Sequence, residues 1–208
     1  MVTLQKKSIK NLTMAAMLMA IMFIMGFTPL GSIPLPFMKA TTTHIPVILA
    51  AMLFGWRIGA MFGVGFGIVS VIRSTIMPNV TSFAFSPFVP IPGTDSGSWS
   101  ALIIAFVPRV CIAFAVLAIY KLIKSKLSLK TCGLVCGIVG SLTNTVLVLG
   151  MIYLLLGREY ASAMSIGYDL LLTMLCGVVV TNGIGEAITA AVITAILVPL
   201  LDRFVQKQ

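Results

Sequence analysis

The chain has 208 residues, of which 59% are hydrophobic and only 9% charged, with a formal net charge of +9. A soluble domain of this size carries about 25% charged residues, so that class is excluded. Apolar runs recur along the whole length, each long enough to cross a ~30 Å hydrocarbon core as a helix, and residues 1–208 read as a single integral membrane domain.

Six spans are predicted. The first runs from about Leu12 to Phe27, behind Lys6, Lys7 and Lys10. A basic start and a Met/Ala-rich core resemble a signal peptide, but the apolar run continues to about Gly26 with no clear cleavage site, so an uncleaved span is expected. Ala16 and Ala20 form a small-xxx-small pair near its cytoplasmic end. After "TPLGSIPLPF" (Thr28–Phe37), the second span is "HIPVILAAMLFG" with a few residues before His44, short for a full crossing.

The third span, about Ile58–Ile72, carries a small-residue ridge of Gly55, Gly59, Gly63 and Gly67, which permits close helix approach. The connector Arg73–Trp99 is long, outside, and rich in Pro, Ser and Phe. Loops of that length without secondary structure are usually functional or disordered. Its Phe83, Phe85, Phe88 and Trp99 point to an ordered lid.

The fourth span is Trp99–Tyr120 and the fifth Cys132–Leu156, with Gly133 and Gly137 as a small pair. The sixth runs from near Leu170 to around Leu201, with Gly183, Ala187, Ala191 and Ala195 on one ridge. It exceeds one crossing, so part should tilt or leave the membrane.

Charge placement sets the topology. Lys6, Lys7, Lys10, Arg57, Lys121, Lys124, Lys126, Lys130, Arg203 and Lys207 fall on one side if both termini are cytoplasmic. Only Lys39, Arg73 and Arg158 then lie outside, beside Asp95, Glu159 and Asp169. This positive-inside asymmetry requires an even number of spans and explains the net charge without nucleic acid as a partner. The expectation is an all-α polytopic protein with six transmembrane helices.

One cation remains. Arg109 lies about 15 Å from Trp99 and about 18 Å from Lys121 along a helix, near the midplane, directly after Pro108. An intramembrane Arg is costly and marks a functional site by default. Asn144, Glu186, Asn182 (one turn from Glu186) and His44 are the polar groups that could share its level. Two readings stand: an Arg109–Glu186 ion pair that locks helices, with Asn144 bonding across, or a solute pocket in which Arg109 attracts an anion.

Catalysis finds little footing, because no HExxH, paired carboxylates or Ser/His/Asp set appears. No Walker motif is present, so active transport would draw its energy from a partner or an ion gradient. Cys111, Cys132, Cys136 and Cys176 follow no zinc spacing. Neither a metal nor a cofactor is expected.

The "AMLMA" of span one, "HIPVILAAMLFGWRIGAMFGVGFGIVS", "SFAFSPFVPIPGTDSGSW", "FVPR", "GSLTNTVLVLG" and "NGIGEAI" together resemble the S components of energy-coupling factor (ECF) vitamin transporters, most closely the pantothenate branch. The resemblance covers almost the whole chain. It implies a subunit of a prokaryotic cell membrane that captures a vitamin from outside and docks on a membrane scaffold driven by two ATPases. It implies docking through Ala16 and Ala20, and a substrate site under the outer loops at Thr28–Lys39 and Arg73–Ser98, with Arg109, Asn144 and Asn182–Glu186. With His44, Phe85 and Phe88 added from the residues themselves, these are the candidate binding groups. Pantothenate, a small carboxylate with hydroxyls and an amide, suits one cation with polar partners. Folate, a hydroxymethylpyrimidine, or passage through a self-contained facilitator are the alternatives.

Overall fold

The computed structural model describes residues 2–28, 31–34 and 39–205. Its helices are α1 (Val2–Phe27), α2 (Ile45–Phe54), α3 (Trp56–Ile76), α4 (Ser100–Ile123), α5 (Leu129–Ala163), α6 (Tyr168–Val178) and α7 (Ile184–Asp202). A π-helical turn, Val179–Gly183, joins α6 to α7 in one 35-residue span. Five spans are long and apolar enough to cross a membrane, and α2 is a shorter apolar helix. Of the first outer loop, positions 29–30 and 35–38 lie outside the described residues, as does Lys207.

The residues before His44 do not extend the second span. They form an antiparallel hairpin, β1 (Ser32–Pro34) with β2 (Lys39–Thr41), in which Ser32 faces Thr41. Helix α2 then starts at His44 with a proline in its first turn, where a missing N–H costs nothing. At ~1.5 Å per residue, ten residues reach only half the bilayer core. Ile45 to Met52 are all buried, and α1, α3, α4, α5 and α7 surround the helix. A helix apolar on every side is one that sits inside a bundle.

Gly55 is not part of the glycine ridge. It has φ +88° and links α2 to α3, a conformation glycine adopts without penalty. The ridge proper is Gly59, Gly63 and Gly67, pressed against α2 and α4. A Cβ on Gly63 would come within 2.6 Å of the Arg109 carbonyl oxygen and 2.8 Å of Val110 Cα. Gly133 and Gly137 of α5 lie as closely against Thr194, Ala190 and Ala191 of α7. There the Thr194 hydroxyl donates across the interface to the Gly133 carbonyl at 2.7 Å.

Helix α5 continues past its expected end at Leu156, because that residue is a kink (φ −136°, ψ 23°) inside a longer helix. The connector between α3 and α4 is ordered. Asn79 Oδ1 accepts from the Thr81 N–H at 3.0 Å and the Ser82 hydroxyl at 3.1 Å, setting a short 3₁₀ turn, Ser82–Ala84. Phe83 is buried there against Tyr160, and Gly93 turns the chain at φ +87°. Among the four cysteines, Cys132 and Cys136 are buried and all are free.

Gly63→Ala should destabilise the protein by about 1–3 kcal/mol, since its methyl meets backbone that cannot yield. Gly150 has nothing within 4 Å of its would-be Cβ, so Gly150→Ala serves as the neutral control. Thermal unfolding in detergent compares the two; equal melting temperatures would contradict the packing.

Candidate substrate site

The site begins with a property of proline. In a helix the N–H of residue 108 would bond the carbonyl of Ile104, and Pro108 has no N–H to give. Arg109, the next residue, fills the gap: its Nη1 donates to the Ile104 carbonyl at 2.6 Å. The side chain therefore points back along α4 toward its N-terminus, as long helical side chains do. The Pro-Arg pair is thus a unit that creates an acceptor and uses it.

Neighbouring elements complete the hold. Helix α3 contributes Ser70, whose hydroxyl accepts from Nη2 at 3.5 Å, and Phe66 one turn earlier. The guanidinium carbon lies 5.2 Å from the Phe66 ring centroid and 5.3 Å from that of Phe85 in the outer connector. Such contacts contribute about 2 kcal/mol when desolvated. Arg109 is only 5% exposed, and its Nε donates to nothing. The cation is held by a carbonyl, a hydroxyl and two rings, all neutral.

Glu186 does not touch it. Its Oε1 accepts from the Thr41 N–H at 2.7 Å and the Thr41 hydroxyl at 3.1 Å, and its Oε2 from the Thr145 hydroxyl at 3.3 Å. The carboxylate fastens β2, α5 and α7 together, close enough to Arg109 to feel its charge but engaged elsewhere. The helix-locking ion pair considered from sequence is not what the side chains form, nor does Asn144 bond across.

The remaining expected residues divide by place. His44 is fully buried; the Thr41 backbone lies near its ring but outside hydrogen-bond geometry, and neither ring nitrogen has a partner. Asn144 is buried with Oδ1 unpartnered, and Ser141, one turn earlier on α5, has an unpartnered hydroxyl. Asn182 is buried in the π turn, its Oδ1 accepting from the Thr181 hydroxyl at 3.4 Å. That turn packs on α5 and β2, and π bulges recur at functional sites. Phe85 reaches Arg109, whereas Phe88 is 71% exposed and is not brought to the cluster. On α1, Ala16 and Ala20 are exposed.

Several members were not anticipated: Phe66, Ser70, Thr41, Thr145 and Ser141. The i, i+4 spacing of Phe66 and Ser70 was visible, but only the α3–α4 register says that they meet Arg109. Among the described residues, no three His, Cys, Asp or Glu side chains gather to hold a metal. Chemically, Arg109 offers one fixed cation held by neutral groups, and a second set of polar groups gathers on Glu186 through Thr41 and Thr145.

Residues 10–198 match the family model described as "ECF transporter, substrate-specific component". The chain is also 35% identical over 202 residues to the pantothenic acid transporter PanT of Lactococcus lactis subsp. cremoris (strain MG1363), covering 96% of this chain and 97% of the relative.

Pro108→Ala tests the Pro-Arg unit. It returns an N–H to the Ile104 carbonyl, so the melting temperature should hold or rise while solute affinity falls about tenfold, the scale of one charge-assisted hydrogen bond. Isothermal titration beside thermal unfolding separates these effects; unchanged affinity would show that the carbonyl does not position Arg109.

Proposed function

The chain belongs to the substrate-specific components of ECF transporters, and from that premise we propose that it captures pantothenate from outside through Arg109. As a transporter component it binds and delivers a solute, in a family that is not one of enzymes. The observation that carries the reading is the neutral setting of a buried cation. Arg109 has no carboxylate on its guanidinium and one N–H without a partner, so an arriving carboxylate displaces no ion pair. The guanidinium fork matches a carboxylate in plane and spacing.

The rest of the ligand fits the rest of the cluster. Pantothenate carries hydroxyls and an amide, and the groups left without partners are His44, Ser141 and Asn144. A flat heterocycle such as folate would instead need aromatic faces, and the two rings at this site already cover the guanidinium. Similarity to a pantothenic acid transporter over nearly the whole chain supports the same substrate.

We further propose six crossings in a prokaryotic cell membrane, with both termini cytoplasmic. The hairpin and α2 in series make the sixth, each supplying part of the bilayer thickness. With no Walker motif in this chain, ATP would be hydrolysed by the partner module, a membrane scaffold with two ATPases. Docking would use α1, whose Ala15, Met22 and Gly26 are buried against the bundle while Ala16 and Ala20 stay exposed. Small side chains there let a second helix approach closely.

Two experiments test the reading. Arg109→Ala should weaken pantothenate binding by at least about thirtyfold, because loss of one partner of a buried charge contact costs about 2–5 kcal/mol. Arg109→Lys should rescue poorly, since a point charge lacks the planar fork. Titration of the folded variants with near-native affinity would remove Arg109 from the site. Ala16→Val or Ala20→Leu should leave binding intact yet stop ATP-dependent uptake into proteoliposomes holding the module; normal uptake would argue against docking on this ridge.

A further inference from the structure

Far from the polar cluster, the bundle surface carries an open groove of about 340 Å³, lined by Trp56, Phe114, Leu117, Ala118 and Lys121. The Trp56 and Phe114 rings stack with centroids 6.1 Å apart and 28° between planes. The Arg57 guanidinium sits over Trp56, 5.5 Å from its ring centroid. Both rings are about half exposed, at 48% and 49%.

The polarity of this groove runs in one direction. Arg57 is in the first turn of α3 and Lys121 in the last turn of α4, so both cations stand at the same membrane boundary. Phe114 lies two turns earlier on α4, about 10 Å deeper, and between the two levels Leu117 and Ala118 are purely apolar. No acidic residue is among the lining groups. Tryptophan and basic side chains at one end of an apolar strip are the signature of a headgroup boundary.

We propose that this groove is a binding site for an anionic phospholipid. The phosphate meets Arg57 and Lys121, the glycerol region lies against Trp56, and one acyl chain follows Phe114, Leu117 and Ala118 into the bilayer. The charge gradient selects this occupant. A soluble anion would leave the apolar length unused, and an apolar helix from a second protein would leave two cations without a counter-charge. The inference stands apart from the substrate reading, since none of these residues belongs to the Arg109 cluster.

The chain has two tryptophans, so Trp99→Phe leaves Trp56 as the only indole reporter. This variant is reconstituted in vesicles of mixed phosphatidylglycerol and phosphatidylcholine, with bromine on the acyl chains of one lipid or the other. Brominated phosphatidylglycerol should quench Trp56 more strongly at equal mole fraction, with a relative affinity higher by about fivefold per cation. Adding Arg57→Gln and Lys121→Gln should abolish that preference, with an unchanged melting temperature reporting an intact fold. Equal quenching by both lipids would reduce the groove to ordinary lipid contact, and quenching by neither would mean that a protein surface covers it; either outcome overturns the proposal.

Discussion

An arginine cannot shed its proton, so a bundle that buries one must accommodate a full charge. Much of the packing among α3, α4 and the connector between them follows from how that is done at Arg109. Pro108 supplies a carbonyl by withholding an N–H, at the cost of one helical hydrogen bond. Glycines at 59, 63 and 67 let α3 press against α4 closely enough for Phe66 and Ser70 to reach the guanidinium. The connector must then fold inward to bring Phe85, and its own hydrogen bonds around Asn79 and the burial of Phe83 fix it there.

The cluster also marks a layer boundary. One apolar core contains Met22, the body of α2, Phe62, Ile112, Val116, Cys132 and Cys136. The other contains Phe83, Ile104, Val148, Ile152, Leu156 and Leu171. Along α4 the sequence passes from the second core at Ile104, through Arg109, to the first at Ile112. Along α5 it passes from Cys136, through Ser141, Asn144 and Thr145, to Val148. The polar groups occupy the seam, where they interrupt neither core. One of the two cores includes Phe83 and Ala84 of the connector between α3 and α4.

Much of this was legible as pattern. Most span positions follow from counting residues along apolar runs, and so does the placement of Arg109 inside the fourth. What counting could not reach depends on backbone detours and on register between helices. The hairpin before His44 hides because its few residues, Lys39 to Thr41, have no distinctive periodicity. Gly55 looks like a ridge member at i, i+4 spacing, and only its positive φ shows that the helix ends there. The kink at Leu156 likewise disguises a 35-residue helix as a span that ends there, whereas the other 35-residue span is legible at nearly its full length and only its π turn at Val179–Gly183 is not. Ser70 and Phe66 are ordinary residues until α3 is placed against α4.

The division of labour between the two buried charges has a consequence for binding energetics. Were Glu186 paired with Arg109, an incoming carboxylate would have to replace an existing partner, gaining only the difference between two similar contacts. Instead Glu186 is satisfied by Thr41 and Thr145, and Arg109 is desolvated by rings and a carbonyl that the proposed carboxylate would not need to displace. The cost of stripping water from the cation is met during folding, so the contact formed on binding keeps more of its strength, as preorganised sites do. Glu186 meanwhile holds the hairpin strand that leads into His44. Charge at position 186 thus fastens the hairpin strand to α5 and α7 without engaging the Arg109 guanidinium.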